Sequence, residues 1–475
     1  MPRYEMLSGE AVETIERGWQ RLVAEVGIAF DHPEALRRFR DAGQRVEDDV
    51  VFLDPAFVLE QVALAPQRFH LHGRDAARAV DIGGDEMVFV AVEGPPFVRE
   101  GDERREGTLA DLERFVALGH VHDEIDVPGS LACEANDRPL DSRHLDMVRA
   151  ALVGSDKPLV GASISRVAAE DSLELAALVA GGREALERSP SVLANVNVNS
   201  PLRYDERMLD GLLVYAAAGQ PLLVTPFLLM GAMAPVTVAA ALVQQLAEAL
   251  AGVALTQLVR PGTPVVLGSF LSHTDMRTGA PGFGGPEAAL GLIASGQLAR
   301  RYGLPWRSGG GGLTTSQSVD AQAAWEALNT LLPAFLAGAN VVVHAAGWLE
   351  SGLVACYEKY LVDVELLGIL RAQFTPFAFD EAALAFDAHV EVGHSGHFLG
   401  AAHTLARYRD CFRLPVLSST DSFERWTRVG APDTATRAAA GWRAALDRYA
   451  VPPLEDGVRA ALDEHVLRRR RELGD

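Results

Sequence analysis

The chain has 475 residues, of which 48% are hydrophobic and 23% charged, so it can bury a large core and intrinsic disorder is excluded. Its 64 acidic and 43 basic residues give a formal charge of −21, which disfavours binding to nucleic acid or anionic membranes and mildly favours cationic ligands. Cys133, Cys356 and Cys411 are widely spaced, so we expect neither a disulfide framework nor a Cys-x-x-Cys metal site. The sequence shows no signal peptide and no apolar run of the roughly 18 to 20 residues that a membrane helix needs. A soluble cytoplasmic protein is therefore expected.

The N-terminal segment, residues 1–85, is predicted to be helical. Between Glu10 and Val26 the apolar residues recur at steps of three and four, as the buried face of one helix requires.

Eight short apolar runs alternate with longer helical stretches over residues 86–370. Runs that are apolar on both faces and separated by helices are typical of a parallel sheet buried on both sides. Eight such units match the size of a (β/α)₈ TIM barrel, although an open doubly wound sheet has the same local pattern. The runs are Met87–Val92, Asp126–Leu131, Pro158–Ile164, Val192–Val198, Pro221–Pro226, Pro264–Phe270, Leu304–Ser308 and Asn340–His344.

The remaining residues, 371–475, are predicted to form a C-terminal helical extension. Helical patterns cover Asp380–Val390, Pro432–Tyr449 and Leu454–Arg471, and no Pro/Gly/Ser-rich linker separates them from the barrel. We therefore expect this extension to pack on the barrel.

Polar side chains stand at the ends of several predicted barrel strands, where barrel enzymes keep their chemistry. Arg307 precedes four glycines, including Gly309 and Gly310, and suggests a clamp for a carboxylate. A phosphate site or a tight turn with an ion-paired Arg307 are the alternatives. His344, at the end of the eighth run, can hydrogen-bond a substrate oxygen, act as an acid or base, or be structural.

Aromatic residues near the strand ends offer a second kind of contact. Phe97, Phe227, Trp348 and Tyr357 could surround a quaternary ammonium by cation–π attraction, or could belong to the core. Glu350 stands where a helix should begin. Its carboxylate either acts in the site or stabilises the helix by interacting with the positive end of the helix dipole.

Two histidine-containing loops invite a metal interpretation. The loop with His273 and Asp275 lacks a second histidine at a ligand spacing, so we predict a loop at the barrel mouth. His394, His397 and His403 lie close together, but a packed turn before a helix is the simpler interpretation. No metal site is predicted.

Several of these segments resemble the trimethylamine methyltransferase family. The resemblance is carried by Pro281–Glu287, Gly309–Gln322, Gly338–Glu365 and Gly396–Gly400, in that order, with Trp426 and Trp442 near the C-terminus. Because no pyrrolysine is present, the chain is most similar to the branch that lacks it, which includes enzymes acting on glycine betaine.

The resemblance implies a methyltransferase that moves a methyl group from a quaternary amine to the Co(I) corrinoid of a partner protein. It places Arg307, His344 and Asn197 at the substrate carboxylate and the aromatic residues at the cationic head. His344 and Glu350 are the predicted catalytic residues. The chain is expected to hold no permanent cofactor and to form a homo-oligomer.

Two other functions remain open from the residues alone. A barrel lyase or aldolase would act on a phosphorylated or carboxylated substrate. The only lysines, Lys157 and Lys359, stand at a strand entry and inside a predicted helix, so a Schiff-base mechanism is poorly supported. A barrel that binds a quaternary amine or a corrinoid protein without turnover is the other alternative.

Overall fold

Parallel strand pairing closes a barrel in this computed structural model, which describes residues 3–475. Seven strands pair in parallel, and Val127 takes the second position through a single parallel bridge to Val90. A hydrogen bond from Ser130 Oγ to the Val160 carbonyl links the second and third positions. The predicted (β/α)₈ barrel is therefore confirmed. Its seven paired strands, in chain order, are Val88–Phe89, Leu159–Gly161, Val192–Val198, Leu222–Met230, Val265–Gly268, Trp306–Ser308 and Val341–Val342.

The barrel interior is filled by branched apolar side chains, most of which come from successive barrel strands. Two of them come from outside the barrel: Leu71 and Ile82 belong to a hairpin of Arg68–Leu71 and Val80–Gly83 that closes the N-terminal end of the barrel. Layers of such side chains make a TIM barrel a packed core and leave the C-terminal ends of the strands for ligands. The strand residues of this layer are Val88, Val90, Val127, Val160, Leu193, Leu223, Val266, Val341 and Val343.

Helices surround the barrel, and several of them begin at residues that favour a helix N-terminus. Thr108 and Asp111 form a capping box at the first barrel helix, and Pro286 occupies the first turn of the sixth. The eight barrel helices are Leu109–Val121, Arg143–Gly154, Arg166–Ala180, Glu206–Ala217, Val238–Val259, Pro286–Arg301, Ala321–Ala337 and Tyr357–Gln373, with a short additional helix at Arg183–Arg188.

One barrel helix, Val238–Val259, is long and apolar enough to cross a membrane, although no such run was expected from the sequence. In this fold 78% of its apolar window is buried inside the protein. Its composition is therefore explained by packing against the fifth strand and the N-terminal helices.

The N-terminal segment is mixed rather than purely helical, so that prediction was wrong in part. Its strands are only three or four residues long, too short to show a periodicity of two in the sequence. A four-stranded sheet orders Arg203–Tyr204, Ile28–Phe30, Val50–Phe52 and Arg45–Glu47. The helices are Gly9–Arg21, continuing as a π-helix at Leu22–Val26, then Pro33–Asp41, Pro55–Val62 and the 3₁₀ turn Ala76–Arg78.

Two strand systems extend the C-terminal end of the barrel. The fifth strand continues to Met230 and pairs with Phe270–Thr274, which in turn pairs with Pro281–Gly282. A separate four-stranded sheet contains Trp348–Leu349, Val354–Cys356, Phe97–Glu100 and Glu103–Glu106, and the 3₁₀ turn Glu350–Gly352 joins its first two strands.

The C-terminal extension is helical, and only its last part packs closely on the barrel. Trp442 and Leu462 are buried against the body, whereas most residues from 376 to 416 are exposed. The helices are Glu381–Leu384, Phe386–Val392, the 3₁₀ turn Phe398–Gly400, Ala402–Cys411, Phe423–Arg428, Thr434–Arg448 and Asp456–Leu473.

Candidate active site

A cavity of about 450 Å³ opens at the C-terminal ends of the barrel strands. It combines a few polar side chains with apolar and aromatic walls, the composition that small-molecule sites usually have. Five of its polar residues come from separate strand ends: Glu93, Asn197, Thr225, Arg307 and His344. Two further charged residues of the lining, Arg143 and Glu134, pair with each other at 2.7 Å.

A larger groove of about 790 Å³ lies on the outer helices, away from these strand ends. Its charged residues already pair with one another, as Arg183 does with Glu174 at 2.5 Å and Arg469 with Asp171 at 2.7 Å. The mouth cavity is therefore the candidate active site.

Arg307 is a buried cation in this cavity. The residue is 1% exposed, and its guanidinium donates from Nη1 to the Ser269 carbonyl at 2.9 Å and lies 5.1 Å from the Phe270 ring centre. Its Nε has no hydrogen-bond partner among the described residues. Burial lowers the pKa of Arg307 to about 10, against the opposing influence of Glu93. The side chain thus stays charged at neutral pH with donor capacity left for an anionic ligand.

Glu93 is the buried anion of the same cavity and was not recognised in the sequence. Its Oε1 has no hydrogen-bond partner among the described residues. Burial raises the pKa of Glu93 to about 7, although nearby Arg307 pulls it down. A carboxylate directly after the apolar run Val88–Val92 was the available signal, but the following Gly94-Pro95-Pro96 looks like an ordinary turn.

His344 is held in an unusual backbone conformation, with φ of +59°. Its Nδ1 accepts a hydrogen bond from the Glu93 backbone N–H at 3.2 Å, so the ring proton resides on Nε2. Burial, and secondarily Arg307, hold the pKa of His344 well below its usual value. His344 is therefore a neutral donor, not a cation, at neutral pH.

A buried ion pair beneath the site fixes the segments around His344. Lys359 contacts Asp363 on the same helix, and its Nζ donates to the Gly312 carbonyl at 2.9 Å. The second Asp363 oxygen accepts from the Gly347 N–H at 2.9 Å. Because Gly312 also donates to the His344 carbonyl at 2.8 Å, the pair ties the glycine segment to the end of the eighth strand.

Aromatic side chains form one wall of the cavity. Trp348 lies 4.4 Å from the His344 ring and 6.3 Å from Phe270, measured between ring centres, and Phe227 lies 4.9 Å from Phe270. Phe270, which the sequence analysis did not single out, is therefore the centre of this wall. The faces of aromatic rings attract cations, and the rings themselves carry no net charge that burial would penalise.

Amide and hydroxyl groups form the wall on the fourth and fifth strands. Asn195 donates to Asn197 Oδ1 at 3.3 Å and accepts from Thr225 Oγ1 at 3.1 Å. The amide nitrogen of Asn197 is left as a donor for a ligand.

Three residues predicted for the site lie outside the cavity. Glu350 pairs with Arg104 at 3.0 Å in the small sheet beside the mouth, and Arg104 also covers the Phe97 ring at 3.8 Å. Tyr357 begins the eighth barrel helix, where it stacks on Phe115 and donates to Asp111 at 2.7 Å. None of the three residues lines the cavity, so the structure does not bring them into the site with His344.

The glycine run serves packing. A Cβ at Gly309, Gly310, Gly311 or Gly312 would collide, respectively, with the Phe270 backbone, the Thr330 carbonyl, the His344 carbonyl and the Asp363 carboxylate. These glycines let four elements approach one another and are not an open phosphate cradle.

The remaining predicted loops carry no metal cluster in the described residues 3–475, where no group of three His, Cys, Asp or Glu side chains has the required arrangement. Asp275 lies in the mouth loop and pairs with Arg277 at 3.2 Å. His394 and His397 are exposed.

Comparison with known proteins identifies the family. A family model described as "Trimethylamine methyltransferase (MTTB)" matches residues 1–474. The chain belongs to the trimethylamine methyltransferase family. Within it, this member is 39% identical to a glycine betaine methyltransferase of Desulfitobacterium hafniense (strain Y51), over 100% of this chain and 99% of the relative. It is 31% identical to a proline betaine:corrinoid methyltransferase of Eubacterium limosum, over 85% and 84% of the two chains.

The fold agrees with that of a solved structure. The monomethylamine methyltransferase of Methanosarcina barkeri matches with a TM-score of 0.52 and 12% identity, over 95% of this chain and 90% of that one. At this identity the likeness concerns the fold, and it supports the barrel assignment of this family member.

Proposed function

We propose that this chain transfers a methyl group from a betaine to the Co(I) corrinoid of a partner protein. The observation that carries the proposal is the pair of opposite charges, Arg307 and Glu93, on one aromatic cavity, where Arg307 Nε and Glu93 Oε1 each have no hydrogen-bond partner among the described residues. A zwitterion with a carboxylate and a quaternary ammonium satisfies both. The names of the relatives that act on glycine betaine and proline betaine support the same substrate class.

The substrate carboxylate would bind at the donor side of the cavity. Arg307 supplies the charge, and His344 Nε2 and the Asn197 amide supply neutral donors. Charge-assisted bonds of this kind are about twice as strong as neutral ones. A neutral His344 is suited to this role because it adds a donor without a second buried cation.

The ammonium head would lie against Trp348, Phe227 and Phe270. Ring faces hold a quaternary ammonium without a hydrogen bond, each contributing on the order of 0.5 to 2 kcal/mol. Glu93 adds the counter-charge. As the methyl group leaves, the ammonium becomes a neutral amine, which no longer pairs with the Glu93 carboxylate and is therefore held less tightly than the substrate.

The corrinoid would meet the substrate at the cavity rim. A space of about 450 Å³ suits a small amine rather than a macrocycle, which fits a corrinoid carried by another protein. Bound corrinoid supplies a strongly nucleophilic cobalt, and a quaternary ammonium needs no further activation to release its methyl group. The chain's own task is to orient one methyl group toward the rim and to exclude water.

The lysine mechanism of the aldolase alternative has no support in the structure. Lys157 Nζ donates to three carbonyls at the strand-entry end, including that of Gly119 at 2.8 Å. Lys359 is committed to Asp363. Neither lysine lines the mouth cavity.

A calorimetric and thermal-shift screen tests the proposal, followed by methyl transfer to reduced corrinoid. The ligands are glycine betaine, proline betaine, carnitine, choline, trimethylamine and sugar phosphates. Betaine binding with turnover supports the proposal, whereas betaine binding without methylation of any corrinoid acceptor would make the chain a binding barrel. Binding of phosphorylated compounds alone would overturn the assignment.

Location and assembly belong to the same proposal. The charge of −21 and three free cysteines fit a reducing cytoplasm in which the protein does not bind nucleic acid or membrane. A homo-oligomer is expected from the family.

A further inference from the structure

The mouth cavity is larger than the simplest betaine requires. Its volume is about 450 Å³. Glycine betaine has about eight non-hydrogen atoms, and at about 30 Å³ for each, the share of a water molecule in the liquid, it fills at most roughly 240 Å³. Nearly half of the cavity is therefore left for another part of the substrate.

The remaining space lies across the barrel from Arg307. In a barrel of eight strands the third strand stands opposite the seventh, and Arg307 belongs to the seventh. Lining residues on this opposite side come from the second and third strand positions and from the second and fourth barrel helices. Those here called the side compartment are Leu131, Met147, Gly161, Ala162, Ile164 and Met208.

Small residues at the end of the third strand create this space. Val160 belongs to the barrel core, so Ala162, two residues further on, faces the cavity from the same side of the strand. Its methyl group fills little of the volume in front of it. The fourth barrel helix also approaches closely, because a Cβ on Gly211 would lie 2.5 Å from the Ser163 carbonyl. Met208, one turn earlier on that helix, thereby reaches the compartment.

Polarity divides the cavity into two sides. The buried polar atoms of the lining that have no hydrogen-bond partner among the described residues all lie near the ends of the first, seventh and eighth strands: Glu93 Oε1, Arg307 Nε and Trp348 Nε1. Beside the side compartment, Arg143 pairs with Glu134 at 2.7 Å and His144 bonds Asp171 at 3.0 Å. The charged part of a ligand therefore finds partners on the Arg307 side, whereas the side compartment favours an apolar group.

The side chains of the compartment suit an apolar group of irregular shape. Met147 and Met208 are unbranched and polarisable, so they adjust to a ligand more easily than branched side chains do. Ile164 stands at the rim and is 44% exposed. A ligand group placed here would remove apolar surface from water on both partners.

We propose that the substrate is a betaine with an apolar side chain on the carbon between its carboxylate and its ammonium, such as N,N,N-trimethylleucine. With the carboxylate at Arg307 and the ammonium against the aromatic wall, this side chain is the part that enters the side compartment. The inference rests on the proposed function, because it requires a betaine in the mouth cavity. Ala162 and Ile164 are then residues that determine substrate choice.

Calorimetric titration with glycine betaine and with N,N,N-trimethylleucine tests the inference. Wild type should bind the leucine compound at least about tenfold more tightly, because several additional methyl and methylene groups become buried. Ala162→Leu fills the compartment from the strand and Ile164→Trp fills it from the exposed rim. Each variant should lower the ratio of the two affinities at least about tenfold, and the ratio of kcat/KM for methyl transfer should fall with it.

The matched control is Val167→Trp, which enlarges an exposed apolar residue outside the cavity lining and should keep the wild-type ratio. Both affinities are measured on one preparation, so a partly unfolded variant does not change their ratio, and Ile164→Trp serves if Ala162→Leu does not fold. A wild type that binds glycine betaine as tightly as the leucine compound would overturn the inference and leave the proposed function standing. An unchanged ratio in the variants would also overturn it. If neither betaine binds, the proposed function fails and the inference fails with it.

Discussion

The Glu93 backbone N–H donates to His344 Nδ1, so the residue that brings the anion to the cavity also sets which nitrogen of the histidine carries the proton. The bond joins the end of the first barrel strand to the end of the eighth. It makes the histidine a donor at Nε2 while the Glu93 carboxyl keeps an unpartnered oxygen. One backbone contact thus joins the residue that carries the anion, Glu93, to the residue that carries the neutral donor, His344.

Replacing Arg307 by Ala should strongly weaken binding of a carboxylated amine and leave the fold intact. The lost charge-assisted bonds correspond to about 2 to 3 kcal/mol, or roughly a 100-fold loss of affinity. Calorimetry with glycine betaine measures it. Arg277→Ala in the mouth loop is the matched control, and an unchanged affinity in the Arg307 variant would refute the clamp.

Betaine affinity should rise with pH through about 7, the pKa of Glu93. The carboxylate form that pairs with the ammonium predominates above that pH, so affinity should increase about tenfold between pH 6 and pH 8. In Glu93→Gln the betaine affinity should no longer depend on pH in this range. Titrations of both proteins at several pH values measure this, and a variant that keeps the wild-type slope would assign the titration to another group.

The same residue should lower the free energy of unfolding as pH rises from 4.5 to about 7. The folded-state pKa of Glu93 is raised from 4.5 to about 7, so the native state binds more protons than the unfolded state in between. The free energy of unfolding therefore falls as pH rises through this window, by up to about 3 kcal/mol. Urea unfolding should show Glu93→Gln gaining stability relative to wild type at pH 8 compared with pH 5. An equal difference at both pH values would contradict the raised pKa.

Glu350→Gln should leave methyl transfer within about twofold of wild type. Glu350 pairs with Arg104 outside the cavity lining, so its charge acts on the small sheet rather than on the substrate. Measuring the turnover of Glu350→Gln and of Glu93→Gln under the same conditions compares two carboxylates near the mouth. A large loss in the Glu350 variant would reinstate the catalytic role that its sequence position suggested.

Lys359→Met should destabilise the protein by about 3 to 5 kcal/mol, because Asp363 then remains buried without its cation. The double variant Lys359→Met/Asp363→Leu should lose less. Thermal and urea unfolding measure both. Arg21→Met, which removes an exposed pair with Glu25 at the same i,i+4 spacing, should change nothing measurable, and equal losses in the two single variants would contradict the role of burial.

The barrel was predictable because its strands are apolar on both faces and end in recognisable polar residues such as Arg307 and His344. The strands of the N-terminal segment were missed because three residues, as in Val50–Phe52, show no period. Tyr357 was misplaced because residues 354–356 pair with the separate small sheet before the helix begins, and the Tyr357 ring then stacks on Phe115. Glu93 was missed because its significance arises only when the eighth strand closes against the first.

The hairpin with Leu71 and Ile82 has a kinetic consequence. By sealing one end of the barrel it leaves the strand-end mouth as the route for every small molecule. An amine that must lie beneath an incoming cobalt centre then has to enter before the carrier protein docks, and the demethylated amine has to wait until that carrier departs. Steady-state kinetics should therefore be of compulsory order, with the amine first on and last off.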